Sequence, residues 1–239
     1  MQANAQRGFT LLELAIFVLI VGFLLAGALK GQEMITSAKV KRLAGQLDEI
    51  RAATLGFQDR FRALPGDYAD AATYITCSGP CPFGNGDSRI RANETPLNGS
   101  EVHEDLLVWT HLAKAGLLKG NYQMNAGEAL TTPENSPTNP YSAYMQIAFD
   151  GQYGISSGGV ARHNLKTGPQ VPVQVLMELD RKIDDGKPYT GILQFSDFAA
   201  NGSTGPAETG PVSCTTAQTL QADWNILASA TNCGAALLL

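Results

Sequence analysis

The sequence predicts an α+β protein: one long N-terminal helix packed on a small antiparallel sheet, inside a loop-rich, disulfide-bonded head. Three observations predict it. Near the start an uncharged apolar run passes directly into an amphipathic stripe of helical period. Short strand-like segments bounded by turn residues follow in the second half. The cysteines fall in two pairs within stretches rich in Gly, Pro, Asn, Ser and Thr. With 239 residues and 44% hydrophobic side chains the chain can fill a sizeable core, which excludes disorder as an overall description.

The first element begins with the apolar run. Leu14 to Leu29 reads LAIFVLIVGFLLAGAL, sixteen residues with no charge, and apolar character reaches back to Phe9 except at Thr10 and Glu13. Phe9 to Leu29 is long enough to span a bilayer, which takes about 20 residues. Arg7 on the N-terminal flank favours keeping that end cytoplasmic and exporting the remainder. Beyond the run, Val40, Leu43, Leu47, Ile50, Thr54, Phe57, Phe61 and Leu64 recur at alternating intervals of three and four, a stripe with one polar member. The pattern predicts one helix from about Phe9 to Phe61, its stripe facing the protein's own core rather than a coiled-coil partner. Leu64-Pro65-Gly66 stops it, because the residue before proline is pushed out of the α region. Residues 9–64 thus form a transmembrane part (9–29) and an amphipathic stalk (30–64), and 65–239 form the head.

Within the head, Asp67 to Ser100 is loop-rich. A second helix is expected over roughly Glu101 to Ala115, with Val102, Leu106, Trp109 and Ala113 on one face and Gly116 as its stop. Tyr144 to Phe149 and Gln152 to Ser156 read as two strands of a hairpin turning at Asp150-Gly151. Pro172 to Ile183 reads as a third helix and Gly191 to Phe198 as a third strand. The tail from Asn201 to Leu239 reads as a Gly/Ser/Thr-rich segment bracketed by Cys214 and Cys233.

The formal charge of -5 is unevenly distributed. Residues 30 to 62 carry net +3, and from residue 65 onward the net is -8. An acidic body argues against nucleic-acid binding, which needs a concentrated basic face, and suits a soluble exported domain. The four cysteines, Cys77, Cys81, Cys214 and Cys233, form an even set that suits an oxidising compartment. Three connectivities are open, and the local one, Cys77 with Cys81 and Cys214 with Cys233, is expected. The spacings C-x3-C and C-x18-C do not supply the two C-x2-C knuckles of a zinc site.

Several readings compete for the N-terminal run. Arg7, the apolar stretch and Ala26-Gly27-Ala28 compose an ordinary secretory signal cleaved after Ala28, and an uncut membrane anchor is also consistent. Neither accounts for Glu13, a carboxylate inside the apolar stretch that is costly there unless it is paired or snorkels to the headgroups. The segment Arg7-Gly8-Phe9-Thr10-Leu11-Leu12-Glu13, followed at once by the apolar run, resembles the prepilin processing motif of type IV pilins and type II secretion pseudopilins.

The resemblance implies an α+β lollipop, a leader of residues 1–8, cleavage after Gly8 by prepilin peptidase, and N-methylation of the new terminus at Phe9. It implies that Glu13 serves filament assembly. Physically, the freed Phe9 amine, with a pKa of about 7.7 to 8.0, is mostly protonated at neutral pH and can pair with Glu13 of a neighbour. Such a buried pair sets register more than it adds stability. The implied partners are itself and other pilin subunits, prepilin peptidase, the inner-membrane assembly machinery and membrane lipid. The implied location is the inner membrane, single-pass with an exported head, and then a pilus or periplasmic pseudopilus. Many type IV pilins break the first helix with a proline where this chain has Lys30; here only Gly22, Gly27 and Gly31 are weak points. Ala63 to Asp67, Gly84 to Asp87, Trp109 to Ala113 and Lys182 to Pro188 resemble a group of pilin-like proteins with long heads. A mature chain of this length suggests a minor subunit.

No catalytic site, metal or cofactor is expected, and the protein reads as a non-enzyme. Gly154-Ile155-Ser156-Ser157-Gly158 matches the nucleophile-elbow pattern, but no acid lies between Ser156 and His163, the single histidine downstream, so a glycine-rich turn is the better reading. His103, His111 and His163 make no metal-binding spacing. Asn85 to Ser88 and Asp184 to Gly186 are oxygen-rich turns of the kind calcium favours, yet neither completes an EF-hand loop, and as turns they need no ion.

Overall fold

The computed structural model describes residues 10–77, 81–91, 103–125, 127–155, 160–198 and 213–239. The chain divides into two units, Met1–Lys39 and Val40–Leu239. Helix α1, Leu11–Phe61, runs through both without a break at Lys30. Within the first unit its apolar side chains, Leu12, Phe17, Leu19, Phe23 and Leu25 among them, are exposed. Among the described residues α1 is the helix long and apolar enough to cross a membrane, and none of its apolar window is buried. Each such Leu, Ile or Phe left in water forgoes about 1.5–3 kcal/mol, so this surface requires lipid or protein to cover it.

In the second unit the expected stripe is the core-facing side of α1. Val40, Leu43, Leu47, Ile50, Thr54 and Phe57 are buried, joined by Ala44 and Ala53. The helix stops where Arg62 enters the left-handed region at φ 56°, three residues before Pro65. The chain then turns at Gly66, φ 91°, where a Cβ would sit 2.5 Å from Glu104 O, so only glycine fits. Helices α2 (Ala71–Tyr74), α3 (Glu104–Lys114) and α4 (Val173–Ile183) follow.

Four strands, β1 (Gln146–Asp150), β2 (Arg162–Lys166), β3 (Leu193–Phe195) and β4 (Ala235–Leu238), form an antiparallel sheet in the order β1-β2-β4-β3. The register aligns Ile147, Leu165, Leu237 and Leu193 in one row across it. That row shares one core with Leu43, Leu47 and Phe57 of α1, Trp109 and Leu112 of α3, and Leu176 and Leu179 of α4. Period-2 geometry sends the neighbouring row, Gln146, Lys166, Ala236 and Gln194, to the other face. Lys166 is fully buried there. Its Nζ pairs with Asp150, donates to Gln146 Oε1 at 2.9 Å and lies 4.8 Å from the Phe198 ring centroid. This pairing of a buried lysine with the half-buried Asp150 ties β2 to the end of β1.

Two sequence expectations are corrected. The partner of β1 is Arg162–Lys166 rather than Gln152–Ser156, so Asp150-Gly151 is no tight hairpin turn. The residues after it leave the ladder, with Tyr153 N bonded to Gly151 O and Gly154 N to Phe195 O. The tail also contains β4, a central strand. Because β4 is paired on both edges and largely buried, Ala-Ala-Leu-Leu shows no alternation to mark it.

Candidate functional site

At the N-terminus, Thr10 O accepts the first helical bond from Leu14 N at 3.2 Å, which makes Thr10 the N-cap of α1. Thr10 Oγ1 accepts from Glu13 N at 3.2 Å, while Glu13 Oε2 accepts from Thr10 N at 2.9 Å and from the Thr10 hydroxyl at 3.0 Å. This is a capping box, and it gives Glu13 partners inside its own chain. The carboxylate meets donors otherwise left orphaned at the head of the helix, at the positive end of its dipole. The signal was present in the sequence as Thr-x-x-Glu before an apolar run, and the sequence reading missed it. Gly8 and Phe9 lie outside the described residues.

The cysteines pair as Cys77–Cys81 and Cys214–Cys233, with Cα separations of 5.1 and 5.8 Å. Cys233 also exchanges two backbone bonds with Val171, at 3.0 and 3.1 Å, and these bonds tie the tail to the entry of α4.

The two oxygen-rich turns each gather three carboxylates. Asp67, Asp87 and Glu104 offer oxygens within 4.8 Å of one another, as do Asp180, Asp184 and Asp185. Both trios present the donor chemistry a hard cation takes. Within the protein these oxygens accept hydrogen bonds from nearby loops. Asp67 accepts from the backbone N–H of Gly86, Asp87 and Ser88 at 2.7, 3.0 and 2.8 Å. Glu104 accepts from Asn85 N at 3.0 Å and Arg91 N at 3.2 Å. Asp180 accepts from Trp224 Nε1 at 2.7 Å and Gly186 N at 3.3 Å, and Asp184 accepts from the N–H groups of Ile192 and Leu193. These acids staple loops. Burial pushes Glu104 up to about 8 against the two N–H bonds that oppose it, and raises Asp180 to about 7.

His111 closes the first of these loops. Gly66 N–H donates to Nδ1 at 2.9 Å, so the proton sits on Nε2, which donates to Pro82 O at 2.9 Å. The ring stacks on Phe57 with centroids 5.9 Å apart, and burial lowers its pKa to about 4. It is a neutral clamp between the turn after α1 and the loop at Pro82. His163 Nε2 accepts from Ile90 N at 3.3 Å. His103 is buried at the N-cap of α3. Ser156, Ser157 and Gly158 of the elbow-like pattern lie outside the described residues.

Residues 3–29 match the family model described as the prokaryotic N-terminal methylation motif. No curated protein and no solved structure matches the chain.

Proposed function

We propose that this chain, whose residues 3–29 carry the prokaryotic N-terminal methylation motif, is a type IV pilin-like prepilin processed by prepilin peptidase, and that it serves as a non-enzymatic filament subunit, minor rather than major, in a type IV pilus or a type II secretion-type filament. The carrying observation is the union of that motif with a continuous α1 whose apolar half is exposed: a surface that lipid covers before assembly and neighbouring helices cover after it. Cleavage after Gly8 leaves the helix attached to the head and frees the Phe9 amine to meet Glu13 of a neighbour. The minor role is supported by the size of the head.

The N-terminus of the mature protein tests this. Mass spectrometry is expected to find Phe9 first and about 14 Da heavier, the mass of one methyl group. Ordinary signal cleavage exposes Leu29 instead, and an anchor keeps the leader. Gly8→Val is expected to accumulate in the membrane with Arg7 attached, because a side chain there obstructs the extended peptide in the peptidase. A mature terminus at Leu29, or normal maturation of Gly8→Val, refutes the proposal.

A further inference from the structure

The polar face of the sheet holds an amine and a carboxyl in direct contact. Asp150, Asn164 and Lys166 project from the same side of β1 and β2, because their register partners, Arg162, Ala148 and Gln146, follow at steps of two. Asp150 stands opposite Arg162, four residues along β2 from Lys166, so the lysine side chain must lie along the sheet to reach it. It does, and Nζ pairs with Asp150 Oδ2.

The other carboxylate oxygen has separate partners. Asp150 Oδ1 accepts from Gln152 N at 3.0 Å and from Asn164 Nδ2 at 3.1 Å. Two N–H donors on one oxygen are the arrangement that stabilises an oxyanion when a nucleophile adds to the carbon that bears it. The amine is shielded from water. Lys166 and Asn164 are fully buried, and the Phe198 ring centroid lies 4.8 Å from Nζ. Burial lowers the Lys166 pKa and so favours the free amine. Burial also opposes the charged form of Asp150, but the lysine and the hydrogen bonds outweigh it and hold that pKa below its usual value. The resting state is thus an ion pair, one proton transfer away from an amine beside an acid. Asp105 and Asp197 act on the same amine, and each keeps Oδ1 buried without a hydrogen-bond partner among the described residues, an acceptor for a proton in transit.

We propose that Lys166 and Asp150 condense to an intramolecular amide, a covalent cross-link between β2 and the end of β1. One proton moves from Nζ to Oδ2, which turns the ion pair into an amine and a carboxylic acid. The Nζ lone pair attacks Cγ, and the charge that develops on Oδ1 is held by the N–H groups of Gln152 and Asn164. A second proton passes from Nζ to Oδ2, the Cγ–Oδ2 bond breaks, and water leaves as the Cγ=Oδ1 bond re-forms. Nothing is oxidised or reduced. Holding the two groups in contact makes the step unimolecular. The product closes residues 150–166 into a ring that constrains the unfolded chain as a disulfide does, but that reduction cannot open. The cross-link is independent of the filament reading.

The test uses the full chain, purified in detergent, then denatured, reduced and digested with trypsin. Cleavage at unmodified lysines and arginines separates residues 120–162, which contain Asp150, from 163–166 and 167–181. The cross-link blocks cleavage after Lys166 and is expected to join 120–162 to 163–181 in one branched peptide, lighter than the two together by one water, about 18 Da. Lys166→Arg keeps the charge and the tryptic site but lacks the nucleophile, and is expected to release 120–162 alone at full mass. Ring closure at Asp150-Gly151 to a succinimide is a rival dehydration that loses the same mass without joining two peptides. Wild-type protein that releases 120–162 free as its main product, at full mass or lighter by one water, overturns the proposal.

Discussion

Protonation of His111 is the perturbation whose consequence the structure quantifies best. In the folded protein its Nδ1 must accept from Gly66 N–H, and full burial holds its pKa near 4. In the unfolded chain it titrates near 6.5. Above pH 6.5 both states hold the neutral ring and its contribution to stability is fully present. Between pH 6.5 and 4 the unfolded chain takes up a proton that the folded one refuses, so stability falls. Two and a half pH units at about 1.36 kcal/mol each amount to about 3 kcal/mol lost by pH 4. Glutamine can supply one acceptor and one donor without titrating there, so His111→Gln isolates the contribution from that of every other group. The assay is urea unfolding of the detergent-solubilised full chain at pH 7 and pH 4, followed by tryptophan emission. The wild type is expected to lose about 3 kcal/mol more than the variant across that interval. Equal losses in the two proteins would refute the clamp.

Two further outcomes follow from the remaining contacts. Burial raises Asp180 to about 7 against the opposing hydrogen bond from Trp224 Nε1, so its contribution to stability is fully present below about pH 3.8 and is lost as pH rises through 7. Trp224 emission is expected to titrate with a midpoint near 7 in the wild type and not in Asp180→Asn; an unchanged transition in the variant counts against the contact. Glu13→Gln retains the capping box, because glutamine serves at the third helical position, but it removes the charge. That variant is expected to be inserted and processed yet poorly incorporated into filaments, and normal incorporation would show that the cap, not the charge, is what Glu13 supplies.

The sequence by itself determined the parts whose signal is local. A charge-free run of membrane length, a stripe at three- and four-residue steps and a Leu-Pro-Gly stop sufficed to place α1 to within a few residues of its observed ends, because helical hydrogen bonds join residues four apart. Gly8, Phe9 and Glu13 fall within the matched motif, in the first thirteen residues, and the capping box at Thr10 was legible and overlooked. Only the tertiary structure decided the rest. Strand β2 pairs with β1 across eleven intervening residues and β4 joins from the far end of the chain, so neither partner is implied by its own neighbourhood. The same holds for the staples. Asp67 holds the turn at Gly86 to Ser88, and His111 holds Gly66 and Pro82, across 19 to 45 residues. The two oxygen-rich turns are held by the protein's own carboxylates, since burial requires each orphaned N–H to find an acceptor and the nearest one in space is distant in sequence.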